Sequence, residues 1–245
     1  MQNHPHLADP PRSTKTGAIR ISVIIPTLNE ASNVAASIDS ARADGVEIVV
    51  VDGGSTDDTV EIAGRAGARV LRSDPGRAHQ MQLGVRATRG EILLFLHADT
   101  ILPSGYHRDV HATLSRPGTA AGAFKLEIRD SSIGMRIVAH STNIRSRWFQ
   151  LPYGDQALFL TREVFHRAGG YPNLPIMEDY VLVRALQRLG RIRLTRSAVV
   201  TSDRRWRTLG PFQTTVINQV MILGFSLGVP PERLARFYRK ARRGR

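Results

Sequence analysis

Cysteine is absent from the 245-residue chain, so disulfides, thiolate nucleophiles and zinc-thiolate sites are excluded, and a reducing cytoplasm is allowed. The start lacks an apolar stretch. Met1 to Ala18 holds Asp9, Pro10, Pro11 and scattered polar residues, so residues 1–18 read as a disordered tail and not as a signal peptide. Negative charge is scarce: 21 Asp plus Glu stand against 34 Lys plus Arg, a formal charge of +13. That imbalance calls for an acidic partner, whether nucleotide, nucleic acid or anionic lipid. The excess is local, because Arg204 to Arg245 carries ten basic residues and one acidic one. Formal charge is missing altogether from Thr208 to Pro231, which includes Val216, Ile217, Val220, Met221, Ile222, Leu223, Phe225 and Leu227. Gln213, Thr214, Thr215, Asn218, Gln219 and Ser226 interrupt the run, so an interfacial or buried helix is expected in place of a membrane span.

What is present is an alternation of apolar runs and helical patterns. Ile21 to Pro26, Glu47 to Val51, Ala68 to Leu71 and Ile92 to Leu96 read as strands. Helical spacing falls between them, over Val34 to Ala41, from Ser55 to about Ala66, and over Gly76 to Thr88. Ser55 with Asp58 three residues later has the form of a capping box. Strand and helix in this order predict βαβ units, a mostly parallel sheet, and a ligand site at the carboxyl edge of the strands. The second half predicts helices over Ser104–Leu114, Ile133–Trp148, Arg162–Ala168 and Glu178–Leu189, with strands over Ala120–Ile128, Ala157–Thr161 and Ile192–Thr201. The organisation expected is a tail at 1–18, one α/β domain at 19–203, and a basic, partly apolar helical extension at 204–245.

Three groups of residues at the expected sheet edge carry chemistry. Asp52 ends a buried strand and leads into Gly53, Gly54 and Ser55, which is a turn signal in its own right. The three spaced glycines of a dinucleotide fingerprint are absent, against a nicotinamide enzyme. His97 and Asp99 follow the most apolar strand, and alternation sets them on one side of it. A hard divalent ion shared with a substrate diphosphate suits them, since Mg²⁺ takes one or two protein carboxylates and completes its shell with phosphate oxygens and water. The plainer alternative is that Asp99 caps the helix near Ser104. Glu178 and Asp179 follow Gly169-Gly170-Tyr171-Pro172 and open a helix. Adjacent helix positions diverge by about 100°, so one of the two is expected to face the cleft, or both serve the helix dipole.

Four blocks together, Ser22-Val23-Ile24-Ile25-Pro26-Thr27-Leu28-Asn29-Glu30, Val49-Val50-Val51-Asp52-Gly53-Gly54-Ser55-Thr56-Asp57-Asp58-Thr59, Gly90 to Thr100, and Gly169-Gly170-Tyr171 with Met177-Glu178-Asp179, resemble family 2 glycosyltransferases of the GT-A fold, a Rossmann-like α/β domain. Leu151-Pro152-Tyr153-Gly154-Asp155-Gln156 and Arg204-Arg205-Trp206 add a narrower similarity to the small transferases found beside radical-SAM and selenium-domain proteins and in arsenosugar pathways. The resemblance implies an inverting, metal-dependent transfer of a sugar from a nucleotide-diphosphate donor to a hydroxyl or phosphate acceptor. It places Pro26, Thr27, Glu30, Asp52, Arg77 and Arg205 at the donor, Asp99 with His97 beside it at Mg²⁺ or Mn²⁺, and Asp179, with Glu178, as the general base. Asp155, Gln156 and Trp206 fall to sugar or acceptor.

Two positions depart from the family pattern. His97 stands where an acidic residue is usual, and Ser202 stands where processive synthases carry Gln before their Arg-Trp motif, so a non-processive enzyme is expected. The partners implied are a UDP-sugar ahead of a GDP-sugar, an acceptor that can be lipid-linked, and an anionic membrane touched by the basic extension on the cytoplasmic side, with no nucleic acid. Two alternatives stand beside this. A sugar-nucleotide nucleotidyltransferase needs a Gly-rich basic loop where Thr27-Leu28-Asn29-Glu30 stands, and a non-catalytic basic module would bind membrane or nucleic acid by charge alone.

Overall fold

The computed structural model describes residues 20–130 and 132–243; the tail expected at 1–18 lies outside the described residues. Along the chain the elements run β1 (Ile21–Thr27), α1 (Val34–Ser40), β2 (Val46–Asp52), α2 (Thr59–Arg65), β3 (Arg69–Arg72), α3 (Arg77–Ala87) and β4 (Ile92–Phe95). There follow β5 (Thr100–Ile101), α4 (Tyr106–Leu114), β6 (Thr119–Ile128), α5 (Ile133–Trp148), a 3₁₀ turn (Gly154–Gln156), β7 (Phe159–Thr161), α6 (Arg162–Arg167), α7 (Glu178–Leu189) and β8 (Arg191–Thr201). Three helices close the chain: α8 (Arg204–Leu209), α9 (Pro211–Ser226) and α10 (Pro231–Arg243).

One eight-stranded sheet has the order β3-β2-β1-β4-β7-β6-β8-β5. The β3, β2, β1 and β4 strands are parallel neighbours, β6 and β8 pair in parallel, and only β7 and β5 run antiparallel to their neighbours. The central strands are apolar without alternation because both faces are covered. Val23, Ile25, Val50 and Leu94 pack with α1 and α4 on one side, and Ile24, Val49, Val51, Leu93 and Phe95 with α3, α6 and α7 on the other.

Several boundaries differ from the sequence reading for local reasons. The helix expected from Ser55 begins at Thr59, because Ser55 is drawn into the turn after β2 and makes no capping box. Strand β4 stops at Phe95, so His97 and Asp99 sit in a turn where strand alternation no longer applies. The helix expected from Ser104 starts at Tyr106 behind a left-handed Gly105, with no side-chain cap, so Asp99 does not cap it. The two-residue β5 was not legible; it forms by pairing with the far end of β8.

The charge-free run is broken by Gly210-Pro211 and by Gly228-Val229-Pro230, leaving the 16-residue α9. At about 1.5 Å per residue it is too short for the hydrocarbon core of a bilayer. Among the described residues, no helix is long and apolar enough to cross a membrane. Ile217 and Met221 of α9 and Leu234 of α10 form a third apolar cluster, against which Ile176, Met177 and Tyr238 pack. The extension thus supports the loop leading into α7.

Candidate active site

The carboxyl ends of β1, β2 and β4, and the segment after β8, converge on one edge of the sheet. Asp52 is buried at the end of β2. Its Oδ2 accepts from the backbone N–H of Gly54 (3.0 Å) and Ser55 (2.9 Å), and its Oδ1 accepts from the Ser55 and Thr27 hydroxyls. These four donors fill a carboxylate's usual capacity, so Asp52 anchors the turn, and the hydrogen bond to a base assigned to it would have to displace one of them. Asn29 locks the β1 and β2 loops together: its N–H donates to Ser55 Oγ (2.8 Å), and its Oδ1 accepts from Thr56 N (2.8 Å). Gln80, on α3, donates to the carbonyls of Thr27 and Val51, both at 2.8 Å. Pro26 and Thr27 stay at this edge, half-buried and buried.

Glu30 does not face the edge with free oxygens. Its Oε1 pairs with Arg204 Nη2 at 2.5 Å, and its Oε2 accepts from Asn33 at 2.9 Å. Arg204 also lies 3.9 Å from Asp99 Oδ2, and Ser202 N–H donates to the Asp99 carbonyl at 3.1 Å. The cation seen beside Asp99 is therefore Arg204. The side chain of Arg205, the one expected there, lies outside the described residues. Pairing of β5 with β8 creates this approach, which is why local sequence could not choose between the two arginines.

The second group lies on the other side of the same turn. Arg77, the first residue of α3, forks between Glu178 and Asp179: Nε to Glu178 Oε1 and Nη2 to Asp179 Oδ2, each 2.6 Å. Its Nη1 is 3.2 Å from His97 Nε2. Both carboxylates are buried, and they reach one guanidinium through different nitrogens, so the 100° divergence of neighbouring helix positions is accommodated. Burial pushes the Asp179 carboxyl up to about 6, against the pull of Arg77 and with the charges of Glu178 and Asp155 adding to the rise. Flanking carboxylates hold Arg77 firmly protonated. Met177, the residue before α7, takes a left-handed φ of 71°, a conformation that costs a non-glycine residue about 1–2 kcal/mol. It is held there by the packing of α9 and α10.

His97 joins this cluster, its Nε2 accepting from the Arg77 guanidinium, and the turn it shares with Asp99 keeps it two residues from the carboxylate expected at the metal. Among the described residues no three His, Asp or Glu side chains gather as a metal cage. The fit to a divalent ion is of another kind. Asp99 is one hard, partly exposed carboxylate at the edge, which suits an ion that draws its other ligands from a diphosphate and water.

Of the acceptor residues, Asp155 lies in the 3₁₀ turn beside this cluster. Gln156 is wholly buried; its Oε1 accepts from Ser146 (2.6 Å) and its Nε2 donates to the Phe124 carbonyl (3.0 Å). Both ends of its amide are hydrogen-bonded inside the fold. Trp206 is buried in α8 and offers little surface to an acceptor. The stretch that carries Asp155 and Gln156 also holds Tyr153, whose buried hydroxyl has no hydrogen-bond partner among the described residues and whose ring carries the Arg145 guanidinium at 3.7 Å. Tyr153 stands inside the Leu151–Gln156 block but was given no role of its own there, and Gln80 lies in none of the motifs.

Comparison with known proteins agrees with this geometry. The pattern of glycosyl transferase family 2 matches residues 22–171. A PGL/p-HBAD biosynthesis glycosyltransferase of Mycobacterium bovis (strain BCG / Pasteur 1173P2) is 35% identical over 170 residues, 61% of this chain and 62% of that protein. Glucosyl-3-phosphoglycerate synthase of Mycobacterium tuberculosis (strain CDC 1551 / Oshkosh) is 38% identical over 96 residues; the match covers 34% of this chain and 30% of that synthase. The structure of the M. tuberculosis synthase with Mn²⁺ and UDP-glucose superposes with a TM-score of 0.55 at 26% identity, over 75% of this chain and 69% of that one. The chain spans less than two thirds of the length of these curated relatives. A match over more than half of the residues, on an α/β sheet whose carboxyl edge gathers Asp52, Asp99 and Asp179, shows that this chain belongs to glycosyl transferase family 2.

Proposed function

We propose that the chain is an inverting, non-processive glycosyltransferase that moves a sugar from a UDP-sugar to a hydroxyl or phosphate of a small or lipid-linked acceptor. The observation that carries this reading is the buried pair Glu178 and Asp179 clamped by the half-buried Arg77 with His97, joined through one short turn to Asp99. The UDP-glucose and Mn²⁺ held by the mycobacterial synthase favour UDP over GDP as the donor nucleotide. Asp99 would hold Mg²⁺ or Mn²⁺, which supplies charge neutralisation for the departing diphosphate. Arg204 adds positive charge at the same place.

Asp179 removes the acceptor's proton. A carboxylate ionising near 6 is mostly in its basic form at neutral pH and is closer to the optimum for proton transfer than an unperturbed one. Arg77 fixes its direction and disperses the charge of Glu178. A single displacement with no covalent intermediate inverts the sugar's configuration. Ser202 in the place of the processive Gln supports release after one transfer. The enzyme works in the cytoplasm, at the inner face of a membrane contacted through residues 204–245.

Calorimetry with UDP-glucose, with and without Mn²⁺, tests the reading. Metal-dependent binding together with slow donor hydrolysis is expected. Absence of UDP-glucose affinity in both conditions would defeat it.

A further inference from the structure

The described residues have twelve exposed large apolar side chains, and eleven of them lie on α5, α9 and α10 or at their ends; only Leu28 lies elsewhere. Surface apolar residues are ordinarily scattered, and their concentration on one face marks an interaction site. Helix α5 is turned inside out. Ile133, Ile137, Ile144 and Trp148 recur at helical spacing on one side, and Ile133, Ile137 and Trp148 are 77%, 63% and 75% exposed. Helix α9 packs beside α5 and adds Phe212, which is 81% exposed, with Leu223 and Leu227. Helix α10 contributes less, because Leu234 and Ala235 are buried. Its Arg233, Arg236, Arg239 and Lys240 face outward.

A cleft of about 960 Å³ adjoins this face along the first half of β8, between α4 and α5. Its cations are Arg116, Lys125, Arg147, Arg191, Arg193 and Arg196, and the one acidic residue lining it, Asp109, accepts a hydrogen bond from Ser197. Among the described residues none of these six cations is in a salt bridge. His140 and Ile144 line both this cleft and the shallow depression formed by Ile133 and Ile137. Basic cleft and apolar stripe are therefore continuous. The cleft lies by the carboxyl end of α7, since Gln187 donates to the Gln150 carbonyl and Gln150 Oε1 accepts from Ile192 N–H; the catalytic carboxylates are at the other end of that helix.

We infer that α5, α9 and the β8 cleft together seat the protein on an anionic lipid bilayer, the arginines meeting phosphate head groups and the apolar stripe entering the head-group boundary. The inference rests on the peripheral-membrane reading above and moves its contact surface from the C-terminal helix to α5. A second copy of the chain is the poorer occupant, because it would bring a cationic cleft of a +13 protein against its like.

Sedimentation of the full chain with phosphatidylglycerol/phosphatidylcholine vesicles at low salt tests it. The protein should pellet with these vesicles and stay in the supernatant with phosphatidylcholine alone. Trp148 emission should shift to the blue, while Trp206, 5% exposed, contributes a constant background. Ile137→Glu, and separately Arg191→Glu with Arg196→Glu, should lower the bound fraction about tenfold or more without changing UDP affinity or the circular dichroism spectrum. No pelleting with anionic vesicles overturns the membrane reading itself, and so does capture by random duplex DNA in its place. Pelleting that Ile137→Glu leaves intact but removal of residues 231–245 abolishes overturns only this face. A dimer that Ile137→Glu dissociates, with no vesicle binding, assigns the face to a second copy.

Discussion

At the scale of single residues, Asp179 carries the sharpest consequences. Its carboxyl ionises at about 6 in the fold against an ordinary 3.8, so the native state holds the proton more tightly than the unfolded chain does. The corresponding stability is complete below pH 3.8 and is lost as pH rises through about 6. Asn cannot ionise, so the Tm of Asp179→Asn relative to wild type should rise as pH increases from 4 to 7. The same variant should lose about 10²–10⁴-fold in kcat and keep its UDP affinity, and the wild-type kcat/KM should fall on the acid side of about pH 6. A variant that retains most of its turnover would move the base to Glu178. Gly154 is set by close approach. A Cβ there would fall 2.6 Å from Asp179 Oδ2 and 2.8 Å from His97 Nε2, so Gly154→Ala should depress kcat while leaving metal-dependent UDP binding in place, as calorimetry would show. The motifs led straight to Glu178 and Asp179, but not to the clamp on them. Arg77 is more than a hundred residues away in sequence, and only the sheet brings α3 and α7 together.

At the scale of elements, the start of α7 depends on helices that follow it in the chain. Met177 keeps its left-handed backbone because Ile217, Met221 and Leu234 pack with it and with Ile176, and Tyr180 of α7 meets Phe225 of α9 ring to ring at 5.9 Å. Met221→Ala should therefore do two things: lower stability by about 2–5 kcal/mol, seen in denaturant unfolding, and reduce kcat more than it raises KM, because it loosens the loop that delivers the base. If stability falls and kcat does not, α9 is a passive cover. Helices α5 and α7 match their expected limits residue for residue, since each has a clear helical pattern and a sharp start and stop. The failures have different causes: Ser55 turns back to Asp52 three residues before it and also accepts from Asn29, while β5 exists only through its pairing with distant β8.

At the scale of the whole molecule, the sheet gathers the carboxylates at one edge, while much of the positive charge lies apart from it, in the β8 cleft and on α10. Binding of a ligand to the native state alone raises Tm. UDP with Mn²⁺ should raise it more than GDP with Mn²⁺, and the Mn²⁺-dependent part should vanish in Asp99→Ala; an unchanged increment in that variant would remove Asp99 from the metal site. The α/β class and the mostly parallel order followed from alternation of buried runs with helical patterns, and the fold has them so.

Local sequence sufficed for most of the elements, for the charge of the extension and for the places of Asp52, Asp99, Glu178 and Asp179 along the chain. Each of these depends on neighbours within a few residues: a run of β-branched side chains, a glycine turn, an acid at a helix start. Only the tertiary structure decided what those groups do to one another. The four donors on Asp52, the pairing of Glu30 with Arg204, the Arg77 fork and the internal use of Gln156 all arise from contacts across the sheet. The outward-facing apolar side of α5 is of the same kind, because a helical stripe in the sequence fixes which residues share a face, while the packing of the rest of the chain chooses whether that face meets the core or the solvent.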